Sequence, residues 1–259
     1  MILVIDIGNT NTILGVYDGE ELVARWRMTT TSKRTADETG QFIHSLFHYS
    51  EVSADNIKDV IISSVVPDIM YSITQGIRKY FNIEPMIVNP HMEIGINLGM
   101  DNPMEMGADR IVNLVAVNEL YGGPAIVIDY STATTFDVLD KDGNFITGIT
   151  APGLQVCAEA LYERAAQLPN IAIKKPKSVI SKNTVDAIQS GLVFGHIGET
   201  IYIVNKIREE LAMPDLKVVA TGGLARVIES EEKIFDVLDP YLTLKGLRVL
   251  YEKNASAKS

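Results

Sequence analysis

Met1-Ile2-Leu3-Val4-Ile5-Asp6-Ile7-Gly8-Asn9-Thr10-Asn11-Thr12-Ile13 opens the chain, and its reading decides the fold. Ile2 to Ile5 is an unbroken apolar run rich in β-branched residues, the pattern of a strand covered on both faces. Asp6 closes it. Gly8-Asn9-Thr10 then supplies a tight turn, Ile13-Leu14-Gly15-Val16-Tyr17 resumes as a strand, and Asp18-Gly19 marks a second turn. Strand, acid, Gly-polar turn and strand together suit the phosphates of a nucleotide. The acid can reach a metal ion or its waters, while the turn's N–H groups and hydroxyls face phosphate oxygens. In isolation, a plain hairpin with an Asp at its strand end reads the same way.

The pattern returns at Ala125-Ile126-Val127-Ile128-Asp129-Tyr130-Ser131-Thr132-Ala133-Thr134-Thr135. Laying Asp129 over Asp6 lays Val127 over Val4, Ile128 over Ile5 and Thr135 over Thr12. Phe136-Asp137-Val138-Leu139 resumes the strand, and Asp142-Gly143 turns it as Asp18-Gly19 did. Two such hairpins, one opening each half, point to a duplicated fold. The arrangement resembles the superfamily of actin, sugar kinases and Hsp70 ATPases. That resemblance implies an α/β fold of two ribonuclease-H-like domains with ATP in the cleft between them. Gly122-Gly123-Pro124 sets the boundary. Residues 1–122 then carry the first phosphate loop and the substrate motif, and 123–259 carry the second phosphate loop and the adenosine motif.

At 259 residues the chain can bury one large or two small cores, and 46% hydrophobic with 22% charged residues is ordinary for a globular protein. A formal charge of −10 argues against a nucleic-acid surface, which needs clustered Lys and Arg. A small nucleotide is still compatible, because local N–H groups and cations set the field inside a loop. Cys157 is the only cysteine, so neither an internal disulfide nor a thiolate metal cluster is expected, and its spacing with Leu154 and Leu161 reads as helix core. No signal peptide precedes Ile2 and no apolar run has membrane length, so a cytoplasmic protein with no membrane partner is expected.

Between the two hairpins, Leu22–Met28 alternates as a third strand and Thr29–Thr35 reads as a solvated polar connection. Helices are predicted over 36–49 and 68–81, and strands over 60–67 and 85–88, the former running into a small-polar turn, a common place for a ligand-facing loop. Gly95–Pro103 reads as loop, and Gly107-Ala108-Asp109-Arg110 opens an apolar helix. In the second half, Thr147–Gly153 reads as loop. Ile173–Lys182 reads as an exposed crossing, and Asn183-Thr184 as the start of a long helix carrying Gly191, Gly195 and Gly198 on one side, a face for close approach of another helix. Leu216–Ala220 is a strand ending in Thr221-Gly222-Gly223-Leu224, where missing side chains let a flat ring approach the backbone. Leu242–Glu252 is a last helix, followed by a frayed tail over 253–259.

Neither the Walker phosphate loop nor the dinucleotide glycine fingerprint occurs. Carboxylates at element ends remain: Asp6, Asp109 and Asp129. Phosphoryl transfer needs little more, since its catalysis is mostly positioning and charge neutralisation.

From Ile5 to about Asn254 the sequence resembles the type III pantothenate kinases. The resemblance rests on Asp6-Ile7-Gly8-Asn9-Thr10, Gly107-Ala108-Asp109-Arg110, Asp129 with Thr132-Ala133-Thr134-Thr135, and Pro152-Gly153. It continues through Asn183-Thr184, Gln189-Ser190-Gly191, Thr221-Gly222-Gly223-Leu224-Ala225 and Leu242-Thr243-Leu244. It implies ATP-dependent phosphorylation of pantothenate to 4′-phosphopantothenate, the first step of coenzyme A synthesis, in a homodimer with Mg2+ and a monovalent cation, K+ or NH4+. Carried onto this chain, Asp6, Ile7, Gly8, Asn9, Thr10, Asn11, Thr12 and Ile13 surround the ATP phosphates. Thr132 also touches ATP, Gly222 and Gly223 face its adenosine, and Asp129 binds the monovalent cation. Met100, Gly107, Ala108, Asp109, Arg110 and Thr184 line the pantothenate site, Thr184 from the partner subunit. Asp109 is the general base. Two alternatives remain open at this point: a non-catalytic transcriptional accessory factor of the same fold, or a kinase for another small alcohol.

On spacing alone, Asp109 also fits a first-turn acid that complements its helix dipole, and the dipole with Arg110 is expected to lower its pKa. Arg110 and the same helix N-terminus suit a carboxylate. Three departures from the family pattern stand out. Ser131 replaces a usual Gly, Thr147 and Thr150 interrupt a Gly/Ala-rich stretch, and Met100 stands where a Tyr often lines the pocket.

Overall fold

The computed structural model describes residues 1–229 and 233–255, so residues 256–259 of the expected frayed tail lie outside it. The chain divides into two compact units: Met1–Leu120 with the chain from Tyr241 onward, and Tyr121–Pro240.

In the first unit, β1 (Ile2–Ile7), β2 (Asn11–Asp18), β3 (Glu21–Thr29), β4 (Asp59–Ser64) and β5 (Met86–Ile87) form one sheet in the order β3-β2-β1-β4-β5. β1 lies at its centre, antiparallel to β2 and parallel to β4, and Leu3, Val4, Ile5 and Ile7 have no exposure. This is why the apolar run is unbroken rather than alternating. β3 is an edge strand, and its alternation follows from having one wet face. α1 (Ala36–Leu46) starts at a capping box in which Thr35 and Glu38 satisfy each other's backbone N–H groups. α2 (Pro67–Phe81) starts on Pro67 and ends at Asn82 in the left-handed conformation. Their backbones touch at Gly76, where a Cβ would lie 2.8 Å from the Ala36 carbonyl oxygen. α3 (Ala108–Leu120) follows a loop and a short 3-10 turn over Pro103–Glu105.

The second unit repeats the plan. β6 (Ala125–Tyr130), β7 (Ala133–Leu139), β8 (Phe145–Pro152), β9 (Lys217–Thr221) and β10 (Val237–Leu238) run in the order β10-β9-β6-β7-β8, with β6 antiparallel to β7 and parallel to β9. α4 (Leu154–Arg164), the long α5 (Thr184–Glu210) and the short α6 (Ala225–Ile228) complete it, and residues 165–183 form an extended, mostly exposed crossing. The two sheets have one topology, so the duplication is real.

Three expectations change. Residues 147–152 belong to β8 rather than a loop, paired along β7 from Phe145 to Pro152. Thr147 and Thr150, which break the family's small-residue pattern, are β-branched residues that suit a strand. The turn of the second hairpin is one residue shorter than that of the first: Asp6 pairs with Ile13, whereas Asp129 pairs with Thr135. Beyond the turn the counterpart of Thr12 is therefore Thr134, not Thr135, and both are buried, at 0% and 1% exposure. Lastly, α7 (Leu242–Ala255) belongs to the first unit, so the second domain does not run from 123 to 259 but from Tyr121 to Pro240. α7 packs on α3, where Gly246 lies against the Val112 carbonyl with no room for a Cβ.

Candidate active site

In the first unit the turn between β1 and β2 is closed by the Gly8 N–H donating to the Asn11 carbonyl at 3.0 Å. Thr30 braces it. Its hydroxyl donates to the Gly8 carbonyl at 2.7 Å and lies 2.9 Å from the Thr12 hydroxyl, and its N–H donates to the Thr10 carbonyl at 3.0 Å. Arg27 adds a bond from Nε to Asn11 Oδ1 at 2.9 Å. The expected solvated connection is thus, at Thr30, part of the loop's scaffold. Neither Thr30 nor Arg27 was legible, because nothing in the spacing says that the end of β3 returns to the turn. The side chains of Ile7 and Thr12 are buried, while Asn9 and Thr10 are exposed. The loop therefore offers backbone N–H groups and small polar groups outward.

Asp6 ends β1 beside Ser63 of β4, its register partner in the parallel pair. Asp6 Oδ1 is enclosed and has no hydrogen-bond partner. Burial, and next the Asp109 carboxylate, push the Asp6 carboxyl up to about 7, with the Ser63 hydroxyl pulling the other way. Asp109, in the first turn of α3, is placed by Gly107: a Cβ at 107 would lie 2.6 Å from Asp109 Oδ1. The Arg110 N–H donates to that oxygen at 2.7 Å. Burial raises the Asp109 pKa, and the Arg110 N–H and guanidinium oppose it without winning. This reverses the expected lowering, because desolvation outweighs the helix end and its neighbouring cation. The structure thus brings Asp6, Ser63, Gly107 and Asp109 together. Two carboxylates, each biased toward the neutral form, with the Asp109 charge raising the cost of ionising Asp6, are suited to binding a cation or taking up a proton.

In the second unit the corresponding turn is closed by the Ser131 N–H donating to the Ala133 carbonyl at 3.0 Å, and the Ser131 hydroxyl donates to the same oxygen at 3.3 Å. Ser131 does not sit at positive φ, so its side chain is no obstacle there. Thr132 is exposed at the tip, and its carbonyl accepts from the Gly153 N–H at 3.2 Å. Gly222 has φ +96°, and a Cβ on it would lie 2.5 Å from both Asp129 Oδ1 and the Tyr130 carbonyl oxygen. It is thus the floor beneath Asp129, whereas Gly223 beside it is open, with nothing within 4 Å of an added Cβ. Gly222→Ala is expected to cost about 2 kcal/mol of stability, from left-handed strain and the backbone clash. A thermal-unfolding midpoint lowered by several degrees reads it, and an unchanged midpoint would refute the close packing.

Met100 lies half-buried in the loop after Gly99, and Thr184 is exposed as the first residue of α5, behind the Asn183 cap. No group of three or more His, Cys, Asp or Glu with metal-binding geometry occurs among the described residues, and no helix there is long and apolar enough to cross a membrane.

Comparison with known proteins gives this geometry its context. Among solved structures, a conserved putative Baf family transcriptional activator from Campylobacter jejuni matches at TM-score 0.58 and 17% identity, covering 98% of this chain and 99% of that one. A putative 2-dehydro-3-deoxygalactonokinase from Sinorhizobium meliloti matches at TM-score 0.57 and 13% identity, covering 97% and 96%. At such identities these show the fold alone, two α/β domains. A curated type III pantothenate kinase from Agathobacter rectalis is 52% identical over 253 residues, covering 98% of this chain and 97% of that one. The family model of type III pantothenate kinases matches residues 2–206. The chain therefore belongs to the type III pantothenate kinases.

Proposed function

We propose that this chain transfers the γ-phosphoryl group of ATP to the primary hydroxyl of pantothenate, with Asp109 as the base that takes up the hydroxyl proton. Family membership supports the reaction and its place in coenzyme A biosynthesis. The observation that supports the residue assignment is the pairing of half-buried Asp6, at the end of β1, with half-buried Asp109, in the first turn of α3. The hydroxyl oxygen forms its bond to the γ-phosphorus as the bond to the β,γ-bridging oxygen breaks. ADP leaves, and the hydroxyl proton passes to Asp109. A raised pKa makes Asp109 a better proton acceptor than an ordinary surface carboxylate. Arg110 and the first N–H groups of α3 attract the pantothenate carboxylate, and Gly107 and Ala108 keep that approach free of bulk. Met100 and Thr184 are assigned to the same substrate. The loop from Asp6 to Ile13 holds the ATP phosphates through its N–H groups, Thr132 adds a contact, and Gly222 and Gly223 offer bare backbone to the adenosine.

The residues fit the expected cations. Asp6 Oδ1 is an enclosed oxygen without a hydrogen-bond partner, which a Mg2+ ion or one of its waters would satisfy. Asp129, a carboxylate whose back is closed by Gly222, suits K+ or NH4+. When bound, such ions neutralise phosphate charge as the transfer proceeds. Turnover measured as ADP release in K+ buffer and again in Na+ buffer tests the second assignment. Activity at least about tenfold higher in K+ is expected, and Asp129→Asn should erase the difference. Equal rates in both buffers would remove the cation role from Asp129.

We further assign a homodimer in the cytoplasm. Gly191, Gly195 and Gly198 form an exposed face of α5 that nothing in the described chain approaches, and Tyr202 on that face is 65% exposed. Sedimentation velocity is expected to give twice the 28.5 kDa chain mass. A monomer at micromolar concentration would overturn this.

A further inference from the structure

His196 lies on the inner side of α5 with 7% exposure. Its Nδ1 is 2.8 Å from the Leu192 carbonyl oxygen, one turn back, and its Nε2 is 3.2 Å from the Pro152 carbonyl oxygen at the end of β8. A carbonyl oxygen only accepts, and a neutral imidazole carries a single N–H. In the neutral ring one of these two contacts, the buried one to Leu192 or the half-buried one to Pro152, would set lone pair against lone pair. The imidazolium satisfies both.

The Pro152–Gly153 peptide carries the consequence to the second phosphate turn. Its C=O accepts from His196, and its N–H donates to the Thr132 carbonyl at 3.2 Å, so one peptide plane links the ring to the turn. Gly153 leaves that plane little freedom, since a Cβ there would lie 2.5 Å from the carbonyl oxygens of both Ser131 and Thr132. A donor at Nε2 polarises the peptide and strengthens its N–H as a donor. Glu199 lies one turn further along α5, and its charge is felt at the Cys157 thiol of α4 and the Tyr130 phenol of β6. Cys157 Sγ is itself 4.0 Å from the Pro152 carbonyl oxygen, and the Tyr130 hydroxyl lies 2.8 Å from that of Thr200. β8 brings no ionisable residue.

We infer that His196 is a positioning residue for the second phosphate turn: its ring clamps the Pro152–Gly153 peptide and so holds Thr132 in its nucleotide-binding place. The inference rests on the reading of Ser131–Ala133 as a phosphate turn. A side chain at 196 that cannot donate releases Pro152, and nucleotide affinity falls.

The test is titration of the full chain with Mg2+-ATP at one pH for wild type, His196→Gln and His196→Phe, with thermal unfolding of each to show that it is folded. His196→Phe should weaken binding about fivefold, the worth of one hydrogen bond, and His196→Gln, whose amide still donates to Pro152, should restore most of the affinity. Equal affinity for wild type and His196→Phe, or a His196→Gln that binds no tighter than a folded His196→Phe, would overturn the role. Absence of ATP binding by the wild type would instead overturn the proposed function, and the role with it.

Discussion

Replacing Asp109 by Asn is expected to lower turnover by about 10²- to 10⁴-fold, the usual worth of a positioned general base, while Mg2+-ATP affinity stays within a few-fold of wild type. The amide keeps the size of the carboxyl but cannot take the hydroxyl proton. A loose transition state limits the loss, because the attacking hydroxyl gives up its proton late. The pH dependence supplies the sign. Burial raises Asp109, so its ionised, proton-accepting form is depleted as pH falls, and kcat/KM should fall on the acid side. Asp6, held up to about 7 partly by the Asp109 charge, titrates with it, so the limb belongs to the pair. In Asp109→Asn that coupling is lost and the Asp6 carboxyl moves down. A variant that turns over within about threefold of wild type would show that no carboxylate at 109 is needed as base.

The second large effect is at Asp6, and it splits stability from function. The folded protein holds this carboxyl at about 7 against an ordinary 3.8. Between those values the folded state keeps a proton that the unfolded state has released. The stabilising contribution is therefore complete below pH 3.8 and is lost as pH rises through about 7. At about 1.4 kcal/mol per unit the full shift would be worth roughly 4 kcal/mol. Asp6 retains some exposure as a residue although its Oδ1 is enclosed, so about half of that, about 2 kcal/mol, is the reasonable expectation. Asp6→Asn carries no charge to bury. Without ligand at pH 8 it should melt roughly 4–8 °C above wild type, with the gap closing toward pH 4. The same change should weaken Mg2+-ATP binding at least about tenfold, since the enclosed oxygen no longer bears the charge that a cation needs. Stabilisation bought with lost binding is the mark of a functional carboxylate. A variant that melts below wild type at pH 8 would show that the Asp6 charge is already satisfied within the protein.

Much of this was written in the sequence. The unbroken run Ile2–Ile5 and its echo at Ala125–Ile128 identify the central strand of each sheet, because only strands covered on both faces lose their alternation. The acids that close those strands mark where each turn begins. What stayed hidden depends on contacts remote in sequence. A turn one residue shorter moves the counterpart of Thr12 to Thr134, and no local residue announces the deletion. Thr147–Pro152 looks like loop because Gly148 and Pro152 break its pattern, yet pairing with β7 makes it a strand. α7 follows the second unit in sequence, but Gly246 fits only against the α3 backbone at Val112. The Asp109 pKa went the other way from expectation for a like reason: the helix end and Arg110 are visible in sequence, and burial is not.

The most direct measurement is product analysis by mass spectrometry after incubating the purified chain with ATP, Mg2+, K+ and pantothenate. One phosphorylated pantothenate per ADP released, with ADP release absent when pantothenate is omitted or Asp109 is replaced by Asn, is the expected result. ADP release that ignores pantothenate, or a folded, ATP-binding protein that yields no phosphorylated pantothenate, would contradict it.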